Sequence, residues 1–239
     1  MNKEQNHPDI LSTLLPARLG RKHFLKYTAL SGGALLLGLQ ACKKSNNGNT
    51  TTTIDVGSGD PGILNFAYAL EQLEAAFYIK VNAAFYANAT ASEKAILSDI
   101  MNHEIAHRDF FKAALGSAAI PSLTPDFSSV DFTSRTSVLA TAKALEDTGV
   151  SAYNGAGYYI QSADYLTLAG KIVSVEARHA AAIRDLINPK SADFAGDDVV
   201  SASTGLDFSR TPNSTTGGPS IVATANTFLK TKISATKLP

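Results

Sequence analysis

Apolar residues recur at spacings of three and four along four segments of the chain between residues 60 and 189. This period is typical of helices that bury one face against a core. Asp60 is expected to cap the first helix, with Pro61 at its first position, and the second helix is expected to begin after Thr90 or Ser92. The predicted helices cover approximately residues 61–86, 91–116, 134–161 and 163–187.

The connections between these helices predict how they pack. Short connections join the first helix to the second and the third to the fourth, which favours two antiparallel hairpins. Residues 117–132 contain Pro121, Pro125 and several serines, and a connection of this length permits a crossover between the hairpins. The sequence therefore predicts an all-α four-helix bundle over residues 60–189, followed over residues 190–239 by a mostly irregular tail with a possible short helix.

Charged residues interrupt the apolar faces of the second and fourth helices in the same way. Glu104 and His107 form an E-x-x-H pair in the second helix, and Glu176 and His179 form another in the fourth, 72 residues later. Residues three apart lie on one side of a helix, and the neighbours of each pair on that side are apolar. Both pairs are therefore expected to point into the bundle core.

The first and third helices extend this repeat. Glu71 is followed seven residues later by Tyr78, and Glu146 is followed seven residues later by Tyr153. Seven residues are about two helical turns, so each glutamate shares a face with its tyrosine. An internal repeat of one helical hairpin accounts for the order Glu, E-x-x-H, Glu, E-x-x-H along the chain.

Four carboxylates that converge in a dry core need compensating charge. Their mutual repulsion and desolvation would cost several kcal/mol for each group. Two divalent cations would neutralise them, and carboxylate oxygens combined with one imidazole per metal suit iron or manganese. The pattern therefore indicates two Fe or two Mn ions as the cofactor, held between the four helices.

The segments ILNFAYALEQLEAAFY, HEIAHRDFF and VEARHAAAIRDL resemble the ferritin-like superfamily, and within it the exported branch known as desiccation-related or ferritin-like domain proteins. The resemblance covers residues 61–187. It implies six metal ligands, which are Glu71, Glu104, His107, Glu146, Glu176 and His179. It also implies ferroxidase or peroxide-detoxifying activity, with O₂ or peroxide as the partner, in oxidative or desiccation stress at the cell envelope. A non-catalytic stress-related bundle that is structural or only binds metal is the alternative, because one fold serves many functions.

Three further side chains lie close to these ligands in the pattern. Glu74 is on the apolar face of the first helix, and its repeat equivalent is Gly149. It is interpreted as an additional ligand, as a carboxylate on the path by which metal enters, or as a partly solvated side chain. Tyr78 and Tyr153 are candidates for hydrogen bonds to ligand carboxylates. The alternative is that both are core aromatic residues whose hydroxyls have other partners.

The stretch HEIAH, which begins at His103, also matches the H-E-x-x-H motif of zinc proteases. In that hypothesis both histidines bind zinc and Glu104 activates water. The histidine-rich continuation of the motif is absent, because Phe110 and Ala113 occupy the positions of the glycine and the third histidine. The repeat equivalent of His103 is the apolar Val175, so His103 is expected at the edge of the apolar face or on the surface. These observations disfavour the protease.

Residues 1–41 are interpreted as an export signal with a lipobox. A basic stretch that includes Arg21 and Lys22 precedes an apolar run too short to span a bilayer, and the run ends in Leu-Gln-Ala before Cys42. Lys22 replaces the second arginine of a twin-arginine signal, so the twin-arginine and general export routes both stay open. Cys42 is expected to carry lipid that anchors the protein to a membrane, facing the periplasm or the outside, with residues 42–59 as a flexible linker.

Composition adds two constraints. The chain has 21 basic and 21 acidic residues, a balance that gives no electrostatic footprint for nucleic acid. Nucleic acid is therefore not expected as a partner. After residues 1–41 only three histidines and six glutamates remain, so the regular placement of these few residues on the helices is informative.

Overall fold

Four long helices form the bundle in the computed structural model, which describes residues 53–196, 211–213, 215 and 219–239. The helices are α1 (Gly59–Ala83), α2 (Ala91–Leu115), α3 (Arg135–Gly157) and α4 (Ala163–Ile187). α1 packs against α2 and α3 packs against α4 as two hairpins, which meet through α1–α3 and α2–α4 contacts. The predicted all-α four-helix fold is confirmed.

A capping box begins α2. The Oγ1 atom of Thr90 accepts a hydrogen bond from the Glu93 amide at 3.2 Å, and the Glu93 carboxylate accepts one from the Thr90 amide at 2.7 Å. Thr90 is therefore the correct choice between the two predicted starts. α1 ends three residues earlier than predicted, because the chain becomes extended at Ala84, yet the side chain of Tyr86 still reaches the core.

Asp60 has a different role from the one predicted. α1 begins at Gly59 with Ser58 at its N-cap, so Asp60 lies inside the first turn. Its carboxylate accepts hydrogen bonds from the backbone amides of Gln161 and Ser162 at 2.8 and 2.9 Å. Asp60 therefore fixes the turn between α3 and α4 against the beginning of α1.

The long connection between the two hairpins lies along α1. The side chain of Asn65 accepts a hydrogen bond from the amide of Ile120 at 2.9 Å and donates one to the carbonyl of Ala118, also at 2.9 Å. Ile120 and Phe127 are buried in the core. These contacts hold the crossover against the bundle and leave the centre of the four helices to the polar residues.

The two ends of the described chain meet in a small parallel sheet. Strand β1 (Thr53–Asp55) pairs with strand β2 (Lys232–Ser234), and α5 (Ile221–Thr227) precedes β2. Residues 53–59, which were predicted to belong to a flexible linker, instead form β1 and the start of α1. The physical reason is apolar burial against the tail. The buried side chains are Val56, Ile221, Leu229, Ile233 and Leu238.

The predicted lipidation site at Cys42 and the predicted export signal lie outside the described residues. Within the described part of the chain, no helix is both long enough and apolar enough to cross a membrane.

Two glycines give a matched test of this packing. A Cβ atom on Gly62 would lie 2.6 Å from the backbone carbon of Gly57, whereas one on Gly170 would have nothing within 4 Å. We expect Gly62→Ala to lower the free energy of unfolding by about 1–3 kcal/mol through overpacking. Gly170→Ala is expected to raise it by about 0.5–1 kcal/mol, because α4 gains a better helix former. Urea denaturation checks both, and equal effects would contradict the close approach at Gly62.

Candidate metal centre

The six residues predicted as metal ligands lie together at the centre of the bundle. Each long helix contributes one glutamate, and α2 and α4 each add a histidine one turn later. All four glutamates are completely buried, and the two histidine side chains are 13% and 5% exposed. The six residues are Glu71 on α1, Glu104 and His107 on α2, Glu146 on α3, and Glu176 and His179 on α4.

These side chains form two overlapping groups of four. In each group, one ligand atom from every residue lies within 4.8 Å of the others. Glu104 and Glu176 belong to both groups, so the two groups are adjacent and share one pair of carboxylates. Position 1 consists of Glu71, Glu104, His107 and Glu176, and position 2 consists of Glu104, Glu146, Glu176 and His179.

Both histidines direct Nδ1 toward the carboxylates. The Nδ1 atom of His107 is 2.8 Å from Oε1 of Glu176, and that of His179 is 2.7 Å from Oε1 of Glu104. Each histidine is farther from the glutamate of its own helix, at 3.6 Å for His107 and 3.4 Å for His179. The histidine of each E-x-x-H pair therefore contacts the glutamate of the other pair across the bundle.

Two tyrosines orient the carboxylates that the positions do not share. The hydroxyl of Tyr78 donates a hydrogen bond to Oε1 of Glu146 at 2.5 Å, and the hydroxyl of Tyr153 donates one to Oε1 of Glu71. Each tyrosine therefore reaches the glutamate of the opposite helix, because α1 and α3 run antiparallel. Only one oxygen of each carboxylate is engaged in this way, which leaves the other directed at the cluster.

Burial and nearby charges raise the pKa values of some of these glutamates and lower that of another. Burial raises the pKa of Glu146 to about 8, and burial together with the charge of Glu176 raises the pKa of Glu71 well above its ordinary value. Burial also opposes ionisation of Glu104, but its contacts with His107 and His179 dominate and lower its pKa to about 2.

The pKa values of the two imidazoles shift in the opposite direction from those of ordinary buried histidines. Burial disfavours the charged ring, but the surrounding carboxylates outweigh it and raise the pKa values of His107 and His179 to about 12. In the absence of metal, these pKa shifts favour protons on both imidazoles and on the carboxyls of Glu71 and Glu146.

The hydrogen bonding of the potential metal-ligand atoms shows whether this site suits metal ions. The four carboxylates and the two Nδ1 atoms provide ten potential ligand atoms, and eight of them have no hydrogen-bond partner of acceptable geometry. Buried polar atoms in native proteins nearly always have such partners. Oxygen and imidazole donors aimed at two adjacent points match the coordination chemistry of iron and manganese. The residues therefore fit two divalent ions.

Glu74 is buried beside the cluster, with 2% of its surface exposed. The prediction of a partly solvated side chain is therefore wrong. Glu74 belongs to neither metal-ligand group among the described residues. Gly149 makes room for it, because a Cβ atom there would lie 3.2 Å from Oε1 of Glu74. Burial, followed by the charges of Glu104 and Glu176, raises the pKa of Glu74 well above its ordinary value.

His103 has a contact that the sequence did not predict. Its side chain is exposed, as expected, but its Nδ1 atom lies 2.8 Å from Nε2 of His179. Within the described chain His103 belongs to neither position 1 nor position 2. The two histidines of HEIAH therefore do not converge on one point, which is contrary to the zinc-protease hypothesis. The contact depends on packing between α2 and α4, which sequence spacing does not reveal.

An apolar cavity of about 30 Å³ adjoins the cluster. It lies between the four helices and is lined by apolar and aromatic side chains, which include Leu70, Phe111 and Ala152. The ring of Tyr153 also lines it, while the hydroxyl of the same residue contacts Glu71. One side chain thus separates the cavity from position 1.

The comparisons with known proteins agree with this architecture. The family model described as the ferritin-like domain matches residues 59–189, which include all four long helices in full and all six candidate ligands. None of the curated proteins compared matches the chain.

Proposed function

Because the chain belongs to the ferritin-like domain family, we propose that it is a di-metal carboxylate protein with ferroxidase or peroxide-detoxifying activity. Two iron or two manganese ions would bind at positions 1 and 2. The observation that carries the proposal is the set of eight buried ligand atoms that face one another and have no hydrogen-bond partner of acceptable geometry. Such a set is costly in an apolar core unless cations or protons compensate it.

The side chains of the cluster divide into bridging and terminal roles. Glu104 and Glu176 are shared by both positions and would bridge the two ions. Glu71 and Glu146 each belong to one position, and a tyrosine holds one oxygen of each. Those hydrogen bonds orient the terminal carboxylates and limit their rotation. The bridging carboxylates instead face the imidazoles: an oxygen of Glu104 lies 2.7 Å from Nδ1 of His179, and an oxygen of Glu176 lies 2.8 Å from Nδ1 of His107.

Redox-active ions held by the residues of positions 1 and 2 would supply electrons to O₂ or to peroxide. In ferroxidase chemistry Fe(II) is the substrate, and two Fe(II) ions oxidised to Fe(III) deliver two electrons to one O₂, which takes up two protons to become H₂O₂. With H₂O₂ as the oxidant, two electrons and two protons yield two water molecules. Burial raises the pKa of Glu74 and so favours the neutral, protonated carboxyl next to the cluster.

The apolar cavity supports O₂ as an oxidant. Its lining offers a water molecule few hydrogen-bond partners, and apolar cavities of this kind stay dry and admit small non-polar molecules. Tyr153 connects the cavity to Glu71 at position 1. A small non-polar oxidant would therefore have a favourable resting place one side chain from the metal.

An envelope location completes the proposal. The sequence before residue 42 resembles a bacterial lipoprotein signal, so we place the protein outside the cytoplasm, attached through lipid on Cys42. A tethered bundle suits the removal of oxidants or of Fe(II) in oxidative or desiccation stress at the membrane surface. It is poorly suited to a sealed cage for iron storage.

A second candidate is a non-catalytic bundle that binds metal for stability alone. The buried cluster favours it as well, because metal binding to the folded state stabilises that state whether or not a reaction follows.

Turnover separates the two candidates. The purified protein should be loaded anaerobically with Fe(II), mixed with O₂ or H₂O₂ in separate experiments, and followed by the absorbance of Fe(III). We expect oxidation well above the rate of Glu104→Gln, a variant that controls for iron oxidation in solution. Stoichiometric metal binding with oxidation no faster than in that variant would establish the non-catalytic alternative.

A further inference from the structure

One of the two candidate histidine ligands has an imidazole partner. The Nδ1 atom of His179 points at the carboxylates, so its Nε2 atom points away from them, where Nδ1 of His103 lies 2.8 Å distant. The two rings are nearly parallel, with 17° between their planes and 5.1 Å between their centroids. His179 is buried, whereas His103 is exposed at the surface of α2.

When a metal is bound, one imidazole of this pair must donate the hydrogen bond and the other must accept it. A neutral imidazole that coordinates metal through Nδ1 carries its proton on Nε2. The Nε2–H group of His179 then donates to Nδ1 of His103. Such a bond fixes the tautomer and the ring orientation of a metal ligand and makes it a better donor, and its loss typically costs about 10–100-fold in metal affinity.

The internal repeat shows that only one of the two equivalent histidine ligands has such an imidazole partner. His107 and His179 are equivalent, and the residue equivalent to His103 is Val175. The side chain of valine has no group that accepts a hydrogen bond. Within the described residues, position 1, which contains His107, therefore has no imidazole at the place where position 2 has His103. The two positions are otherwise matched in their terminal glutamate, tyrosine, histidine and shared carboxylates.

We propose that His103 is a positioning residue for His179 and that it makes the two metal positions unequal, so that a divalent ion fills position 2 before position 1. The inference rests on the proposed di-metal function and deepens it by giving the order of loading. A first ion at position 2 would use both shared carboxylates, and the second ion would then enter beside it at position 1. The histidine that begins HEIAH thus acts through a ligand of the other E-x-x-H helix.

The chain offers reciprocal variants for the test. His103→Val reproduces at position 2 the environment of position 1, and Val175→His introduces an imidazole at the equivalent place beside His107. His103→Asn keeps a side-chain oxygen that can accept a hydrogen bond. Crystals of each protein should be prepared with one equivalent of Mn(II), and anomalous diffraction then reports the occupancy of each position separately.

We expect the wild-type protein to hold Mn(II) at position 2 at one equivalent. His103→Val should lower the affinity of position 2 by about 10–100-fold, distribute the ion between both positions, and still take two ions at excess Mn(II). His103→Asn should restore the preference for position 2 in part. The double variant His103→Val with Val175→His should reverse the order of filling, a result that a merely structural role for His103 does not produce.

Equal occupancy of both positions in the wild type, or an occupancy ratio unchanged by His103→Val, would overturn the inference while leaving the di-metal proposal intact. Failure of the wild type to bind Mn(II) or Fe(II) anywhere in the cluster would overturn both. Affinity measured in solution by competition with a chelator provides a second readout that does not depend on crystals or on turnover.

Discussion

Glu104→Gln is expected to abolish binding of both metal ions, whereas Glu71→Gln should remove one. Glu104 belongs to both positions and approaches both histidines, while Glu71 belongs to position 1 alone. Glutamine preserves the size of the side chain but removes the charge that two cations would share. Loss of the hydrogen-bond partner of a ligand typically lowers metal affinity about 10–100-fold. Loss of the shared ligand Glu104 should lower metal affinity by more than this.

Metal content per chain, measured after loading and desalting, checks this expectation. The wild type should retain about two ions, Glu71→Gln about one, and Glu104→Gln almost none. Glu93→Gln is a matched control, because Glu93 is also buried but lies in the capping box of α2, paired with Arg135 at 2.6 Å. It should retain two ions. Equal losses in Glu71→Gln and Glu104→Gln would show that the carboxylates are not divided into shared and unshared ligands.

Removal of metal is expected to reverse the sign of the pH dependence of stability between about pH 5 and 7. In the metal-free native state the pKa values of His107 and His179 rise from 6.5 to about 12, and that of Glu146 rises from 4.5 to about 8. The native state therefore binds more protons than the unfolded state. Stability is then greatest below the unfolded pKa values and is lost as the pH rises through the native ones.

Bound metal inverts this relation. Ligands must be deprotonated to bind metal, so the unfolded state of the loaded protein binds more protons than the native state wherever its histidines and glutamates are protonated. Stability of the loaded protein should therefore rise from pH 5 to about pH 7. Each proton of difference between the two states changes the free energy of unfolding by about 1.4 kcal/mol per pH unit.

Thermal denaturation of chelator-treated and Mn(II)-loaded protein across this pH range checks the reversal. Titrating groups outside the cluster contribute to both curves, so the difference between the curves isolates the site. Glu104→Gln should give the same curve with and without Mn(II), because it does not load. Slopes of the same sign for the loaded and metal-free wild type would contradict the assignment of the cluster as a metal site.

Much of the fold was predictable because the repeat is strong. The apolar spacing identified four helices, and the Thr90–Glu93 capping box placed the start of α2 correctly. The six candidate ligands could be selected from the sequence because polar residues interrupt apolar helix faces at repeated positions. Glu104, for example, is repeated 72 residues later by Glu176. Such a repeat has few explanations other than a shared site in the core. The structure brings these six together.

The features that sequence did not predict depend on contacts between distant segments. The His103–His179 contact joins residues 76 apart, and the tyrosine hydroxyls bind the glutamates of opposite helices. The burial of Glu74 depends on the missing side chain of Gly149 across the bundle. A glycine on an apolar helix face, opposite a glutamate in the repeat, is the one signal that could have indicated this.

The short strands were missed for a related reason. Three residues are too few to establish an alternating pattern, and β1 is paired with β2 from the other end of the described chain. Asp60 was likewise interpreted from its neighbours as a local cap, while its hydrogen bonds go to Gln161 and Ser162, about a hundred residues away.

Anomalous diffraction from crystals of the protein saturated with Mn(II) or Fe(II) tests the di-metal site directly. We expect two peaks at the centre of the bundle, one at position 1 and one at position 2, with carboxylate oxygens of Glu104 and Glu176 near both. A single peak at the imidazoles of His103 and His107, as in a zinc protease, or no peak among the four glutamates, would contradict it.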